Sequence, residues 1–238
     1  LKGIKKGMAV ILSILLAVTI LPTGLQAETV QAGSGTLHVG GVSVTDSNAS
    51  DVLGDGTVSY NSDTNTLTLT NMNLTKCEND SNYVYGIYYN GSGQTLNLVL
   101  NGTNTISIGD IADAKECNGI YLEDDDTLNV SGTGTLEVTV GAASEYSRGV
   151  RTGNLNMEAG MITATAGVTT SYDSVGVYCE KGMNVTGGNL TGMGASAGNG
   201  SYGIHIKSSS SKISGGAVTG VGGDLTGAST ISKGINAC

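Results

Sequence analysis

The chain reads as an all-β protein, a right-handed parallel β-helix of about 30 residues per coil with an N-terminal β cap. Three observations predict this. First, a glycine-led phrase returns six times: Gly86-Ile87-Tyr88, Gly119-Ile120-Tyr121, Gly149-Val150-Arg151, Gly176-Val177-Tyr178, Gly203-Ile204-His205 and Gly234-Ile235-Asn236. The glycines stand 33, 30, 27, 27 and 31 residues apart, and a period of that size belongs to solenoids. Second, each period holds three short alternating segments. They are the phrase itself, an apolar-Asn-apolar segment such as Leu96-Asn97-Leu98 or Leu128-Asn129-Val130, and a run after a glycine turn such as Thr135-Leu136-Glu137-Val138. Such alternation sends one set of side chains inward and the next outward. Third, no Pro follows Pro22 and Phe and Trp are absent, which suits long ladders and a narrow aliphatic interior.

Taken in order, residues 1–27 read as a secretory signal peptide. Lys2, Lys5 and Lys6 precede an apolar run from Met8 to Leu21, and small Ala27 is the expected last residue removed. The apolar run is short for a bilayer span of about 20 residues, and no later run could serve as one. Cleavage removes three of the 11 basic residues and none of the 20 acidic ones, so the net charge moves from −9 to −12. A surface of that sign excludes nucleic acid, whose binding depends on Lys and Arg displacing counterions. The expected location is secreted or on the extracellular cell surface.

Residues 28–65 form an N-terminal segment and β cap. Leu37-His38-Val39 and Val42-Ser43-Val44 read as strands, with turns at Gly54-Asp55-Gly56 and Ser62-Asp63-Thr64-Asn65. A solenoid needs such a block over its open end. The repeats then run from 66 to 238, and with no cap at the far end truncation there is expected.

Ile87, Ile120, Val150, Val177 and Ile204 are expected inside, with Leu96, Leu128, Leu155 and Met183 in the second strand. Asn97, Asn129, Asn156 and Asn184 form an outward row suited to amide–amide hydrogen bonds. A second outward row is Tyr88, Tyr121, Arg151, Tyr178 and His205, a rail of flat side chains that sugar rings pack against. Cross-strand packing alone accounts for the same row. The glycines at 86, 119, 149, 176 and 203 are expected to leave a bare shelf beside this rail. The variable segments 109–118, 141–148, 167–175, 194–202 and 222–233 fall on one edge, as insertions bordering a binding face do.

Four cysteines remain after residue 27: Cys77, Cys117, Cys179 and Cys238. Cys77 and Cys117 each precede a phrase and could bond across adjacent coils, or remain free thiols. Cys179 and Cys238 are two repeats apart, too far for easy bridging.

The block from Leu37-His38-Val39-Gly40-Gly41-Val42 through Leu53-Gly54-Asp55-Gly56-Thr57-Val58-Ser59-Tyr60 to Asn65-Thr66-Leu67-Thr68-Leu69, with the repeats after it, resembles secreted β-helix proteins of Gram-positive, clostridial-type anaerobes. Those are described as carbohydrate-binding-domain proteins with pectate-lyase-like folds. The resemblance implies binding of a polysaccharide, acidic or from plant cell walls, sometimes with calcium.

For calcium, the residues offer Glu123, Asp124 and Asp126 in the run Glu123–Asp126, hard oxygen ligands close together, although sequential carboxylates in a turn also form plain solvated corners. On that second reading Asp126→Ala costs far less than Val177→Asp. A calcium-dependent polysaccharide lyase needs acids and a base, for which Arg151 with Asp124 and Asp126 is the available set. The polygalacturonase-type Asn-Thr-Asp, Gly-His-Gly and Arg-Ile-Lys strings are absent. Three classes follow: a carbohydrate-binding module first, an adhesive or structural stalk second, and a lyase third.

Overall fold

The computed structural model describes residues 35–208, 210–224 and 231–237. The signal-peptide reading of 1–27 and Cys238 therefore lie outside the described residues. Among the described residues there is no helix, and stacked parallel strands form a β-solenoid of about six turns, roughly 28 residues apart.

Each turn contributes a strand to three faces. Face I stacks Tyr83–Asn90, Glu116–Leu122, the first half of Tyr146–Met157, the first half of Ser174–Val185, Gly200–Ile206 and Ile231–Ala237. Face II stacks Thr66–Thr70, Thr95–Asn101, Thr127–Gly132, the second halves of those two long strands, and Ser210–Ile213. Face III stacks Asn73–Leu74, Thr103–Ser107, Thr135–Thr139, Met161–Thr165, Asn189–Met193 and Ala217–Val221. The shrinking period has a local cause. Four residues, 91–94 and then 123–126, make the corner from face I to face II in the first two turns. In the next two turns one strand runs straight through it, with a register shift between Thr152 and Asn154.

The register joins like to like. Ile87, Ile120, Val150, Val177 and Ile204 are successive partners, each at most 1% exposed, and Leu96, Leu128, Leu155 and Met183 form a second buried file. In the asparagine row, Asn129 Nδ2 donates to Asn97 Oδ1 at 3.1 Å and Asn156 Nδ2 to Asn129 Oδ1 at 2.8 Å. At the corner from face II to face III, Gly160, Gly188 and Gly216 have φ of 80°, 76° and 72°, a conformation that glycine adopts with less strain than a residue bearing a Cβ.

The phrase glycines correct the shelf reading. In the first five phrases they point inward, because the glycine and the Ile or Val after it are both buried and strict alternation breaks there. A Cβ on Gly86 would meet Ile106 and Ile108, one on Gly119 would meet Val138, and one on Gly149 would meet Ala164, all on or beside face III. At Gly176 and Gly203 the opposing atoms are backbone of 192–193 and 220–221. Faces I and III thus close together along the stack as the face III file shrinks from Ile106 through Val138 and Ala164 to Gly192 and Gly220.

Residues 36–61 lie on the first edge. Thr36–Val39 pairs antiparallel with Tyr83–Asn90 and carries the hairpin strand Val42–Ser43, while Val58–Asn61 pairs antiparallel with Thr66–Thr70. Cys77, Cys117 and Cys179 are free thiols, so the Cys77–Cys117 bond does not form. Burial pushes the Cys117 and Cys179 thiols up to about 12, which leaves them as inert core groups.

Candidate functional site

The register puts Tyr88, Tyr121, Arg151, Tyr178 and His205 in one outward file on face I. A second outward file lies three residues earlier: Tyr85, Asn118, Arg148, Val175 and Tyr202. Two residues separate the files and both point inward, so the outer side chains tilt toward one another and tile. Ring centroids are 5.7 Å apart for Tyr88–Tyr121, which stack, 4.9 Å for Tyr85–Tyr121, and 5.2 Å for Tyr85–Tyr88. The Arg151 guanidinium lies 4.3 Å from the Tyr121 centroid, and Arg148 lies 4.1 Å from that of Tyr146. Tyr146 stacks on Tyr172 from the loop edge at 5.0 Å. At the far end His205 packs against Tyr202 at 4.5 Å and Tyr178 at 5.5 Å.

Sequence reasoning did not place the cap residues here. His38 pairs in register with Tyr88, with ring centroids 5.9 Å apart, and so begins the file that runs through His205 to Asn236. Glu78 arrives beside Tyr85 through the antiparallel strand Glu78–Asp80 and bonds His38 Nδ1 at 2.5 Å. The signal was available only as a His in the cap strand, because its partner depends on hairpin register.

Carboxylates rim the platform and hold its polar tips. Glu123 accepts from the hydroxyls of Tyr88 at 3.2 Å and Tyr121 at 3.4 Å, and Glu180 from that of Tyr178 at 2.5 Å. Arg151 Nη2 donates to Asp124 Oδ1 at 2.7 Å, Arg148 Nη1 to Glu116 Oε2 at 2.9 Å, Lys181 to Asp125 at 2.6 Å, and Lys207 to Glu180 at 2.8 Å. Burial pushes the Tyr121 phenol up to about 12, although Arg151 acts the other way, so it remains a neutral donor. Burial works against the Arg151 charge, but Tyr121 and Asp124 outweigh it and hold the guanidinium above its ordinary value. A group so firmly protonated is unsuited to act as a base.

The acidic run divides. Asp126 is fully buried, and its carboxylate accepts from the backbone amides of Gly91 at 2.7 Å, Gly93 at 2.7 Å and Gln94 at 3.0 Å. It closes the corner of the preceding turn and is not a solvated residue. Glu123, Asp124 and Asp125 face a shallow pocket with Asn90 and Ser92. Calcium takes six to eight oxygens around one point. With Asp126 saturated by amides and Asp124 bound to Arg151, these residues do not fit such a cage, and no three metal-ligating side chains converge among the described residues.

Four side chains of the two files carry buried polar atoms without partners, among them the Nε atoms of Arg148 and Arg151. Neither amide atom of Asn118 is paired, although the residue is 0% exposed, and His205 Nδ1 is likewise without a hydrogen bond. The bordering segments are ordered by one another: Ala143 N donates to Val168 O, Thr169 N to Ser196 O, and Ser144 N to Ala114 O. The assembly is a β-solenoid with one aromatic, charge-edged outer face. No family model, curated protein or solved structure matches the chain.

Proposed function

We propose that face I is a platform for a polysaccharide chain and that the protein is a secreted or cell-surface carbohydrate-binding module. One observation carries this reading, the segregation of residue types. Of the ten tyrosines only Tyr60 and the inward-pointing Tyr89, both buried, are missing from the outer side of face I and its loop edge, and both histidines and both arginines are on it. The outward files of faces II and III carry mostly Asn and Thr and no rings, as in Asn97, Asn129 and Asn156 or Thr105, Glu137, Thr163 and Thr191. Ladder packing alone gives no reason for one face to collect the rings. A strip of half-buried rings with hydroxyl, guanidinium and carboxylate edges suits the CH-rich faces and hydroxyls of sugars. Selection for acidic glycans is weakly supported, since Arg148 and Arg151 are already paired with Glu116 and Asp124.

The stalk reading has its own support, because the rings also satisfy one another along the axis. Pull-down on cellulose, peptidoglycan and polygalacturonate separates the two. Wild type is expected to bind at least one polymer, and Tyr121→Ala with Tyr178→Ala to weaken it by about tenfold or more, each ring contributing about 1 kcal/mol. No binding, or equal binding by both proteins, leaves the stalk.

A further inference from the structure

At the cap end the platform deepens into a cavity of about 290 Å³ lined by His38, Glu78, Asp80, Tyr85, Tyr88 and Glu123. That is close to the lower end of small-molecule sites, about 300 Å³, and suits one sugar ring. Its composition differs from the rest of face I. Elsewhere the carboxylates Glu116, Asp124, Asp125 and Glu180 each hold an Arg or Lys. Here three carboxylates line one cavity with no Lys or Arg beside them, and only Glu78 has a basic neighbour, His38. Glu123 is bonded by the two tyrosine hydroxyls and Asp80 by the Ser81 hydroxyl. Neither makes an ion pair among the described residues.

Two tilted tyrosine rings form the wall, and ring faces flanked by carboxylates attract organic cations while repelling anions. The phenols register that field. Burial first, then Glu123 and Glu78, raise Tyr88 above its ordinary value. Burial, neighbouring phenols, Glu116 and Glu123 do the same to Tyr85.

The geometry points to a subsite for an ammonium-bearing sugar, a hexosamine unit with a free amine, at the cap end of the platform. This assignment rests on the platform reading, since the rest of the chain would continue over Tyr121. The amine sits over the Tyr85 and Tyr88 faces and donates to Glu123 and Asp80. An N-acetylated unit has no charge to offer there, and a uronate meets the carboxylates with its own negative charge.

The test is calorimetry with three β-1,4-linked hexasaccharides: glucosamine, N-acetylglucosamine and glucose. The glucosamine chain is expected to bind about tenfold tighter than the other two, the contribution of one charge-assisted hydrogen bond. Glu123→Gln with Asp80→Asn is expected to erase that advantage, so that the glucosamine and glucose chains bind the variant with equal affinity, with melting temperature monitored to show the fold is retained. Equal affinity for all three, or an advantage that survives the double variant, overturns the ammonium subsite alone. Absence of binding by any hexasaccharide overturns the subsite, and the platform reading falls with it when the polymer pull-down is also negative.

Discussion

Gly176 and Gly192 face each other across the interior with no side chain between them. A Cβ on Gly176 would lie 2.6 Å from the Gly192 carbonyl carbon and 2.2 Å from the Met193 nitrogen. Backbone cannot rotate away as a side chain can, so Gly176→Ala is expected to destabilise the protein by about 3 kcal/mol, the upper end of ordinary overpacking. Gly119→Ala meets the Val138 side chain at 2.1 Å, and there Val138→Ala should restore part of the loss. Urea unfolding of the single and double variants checks both statements. A mild Gly176→Ala, or a Gly119 variant with no rescue, would mean the two faces are farther apart.

Asp126 changes the expected ranking of two substitutions. Val177→Asp remains costly, since it buries an unpaired charge among apolar neighbours. Asp126→Ala is expected to be costly as well, about 3 kcal/mol or more, because it leaves the amides of Gly91, Gly93 and Gln94 without their acceptor. Asp124→Ala, at an exposed corner, should cost under about 1 kcal/mol. Thermal melts of the three variants decide whether Asp126 is a corner clamp, and a mild Asp126→Ala would return it to the solvated class.

The inward files and the Tyr88, Tyr121, Arg151, Tyr178, His205 row were legible in the sequence, because parallel register carries a repeat period directly into space. What was not legible lies where the repeat breaks. The direction of Gly86 and its equivalents fails from strict alternation, since Gly86 and Ile87 turn inward together. The partnership of His38 with Tyr88 depends on an antiparallel hairpin outside the period. The burial of Asp126 depends on residues 91–94 of the previous turn folding back over it, a contact that no spacing within one repeat announces.

Asn118 is expected to be a stability defect. Its column neighbours are Tyr85 and Arg148, and both amide atoms are buried without a partner. An unpaired buried polar group costs about 1–3 kcal/mol, so the near-isosteric Asn118→Leu should gain about 1 kcal/mol in urea unfolding. If the amide serves a bound sugar, the same variant gains stability while losing affinity, the trade expected at a functional position. A destabilised Asn118→Leu would show that the amide is satisfied in solution.

His205 gives the platform a pH dependence whose sign is fixed. Burial, the largest influence, lowers its folded-state value below 6.5, with Lys207, Lys233 and Arg148 acting the same way and Asp173 opposing. Above 6.5 the imidazole is neutral in both folded and unfolded chains and contributes nothing to the slope. As the pH falls below 6.5 the unfolded chain takes up the proton first, so stability declines until the pH passes the folded-state value, and then the decline from this group stops. Glu180, with burial opposing but Lys207 and Tyr178 prevailing, is held below 4.5, so its own loss of stability begins at lower pH and leaves the upper window to histidine. Urea midpoints at pH 7.5 and 5.5 should therefore drop for wild type and drop less for His205→Gln, with His38→Gln as the control for the second imidazole. Equal drops for wild type and His205→Gln would show that the ring between Tyr178 and Tyr202 is open enough to water to carry its charge.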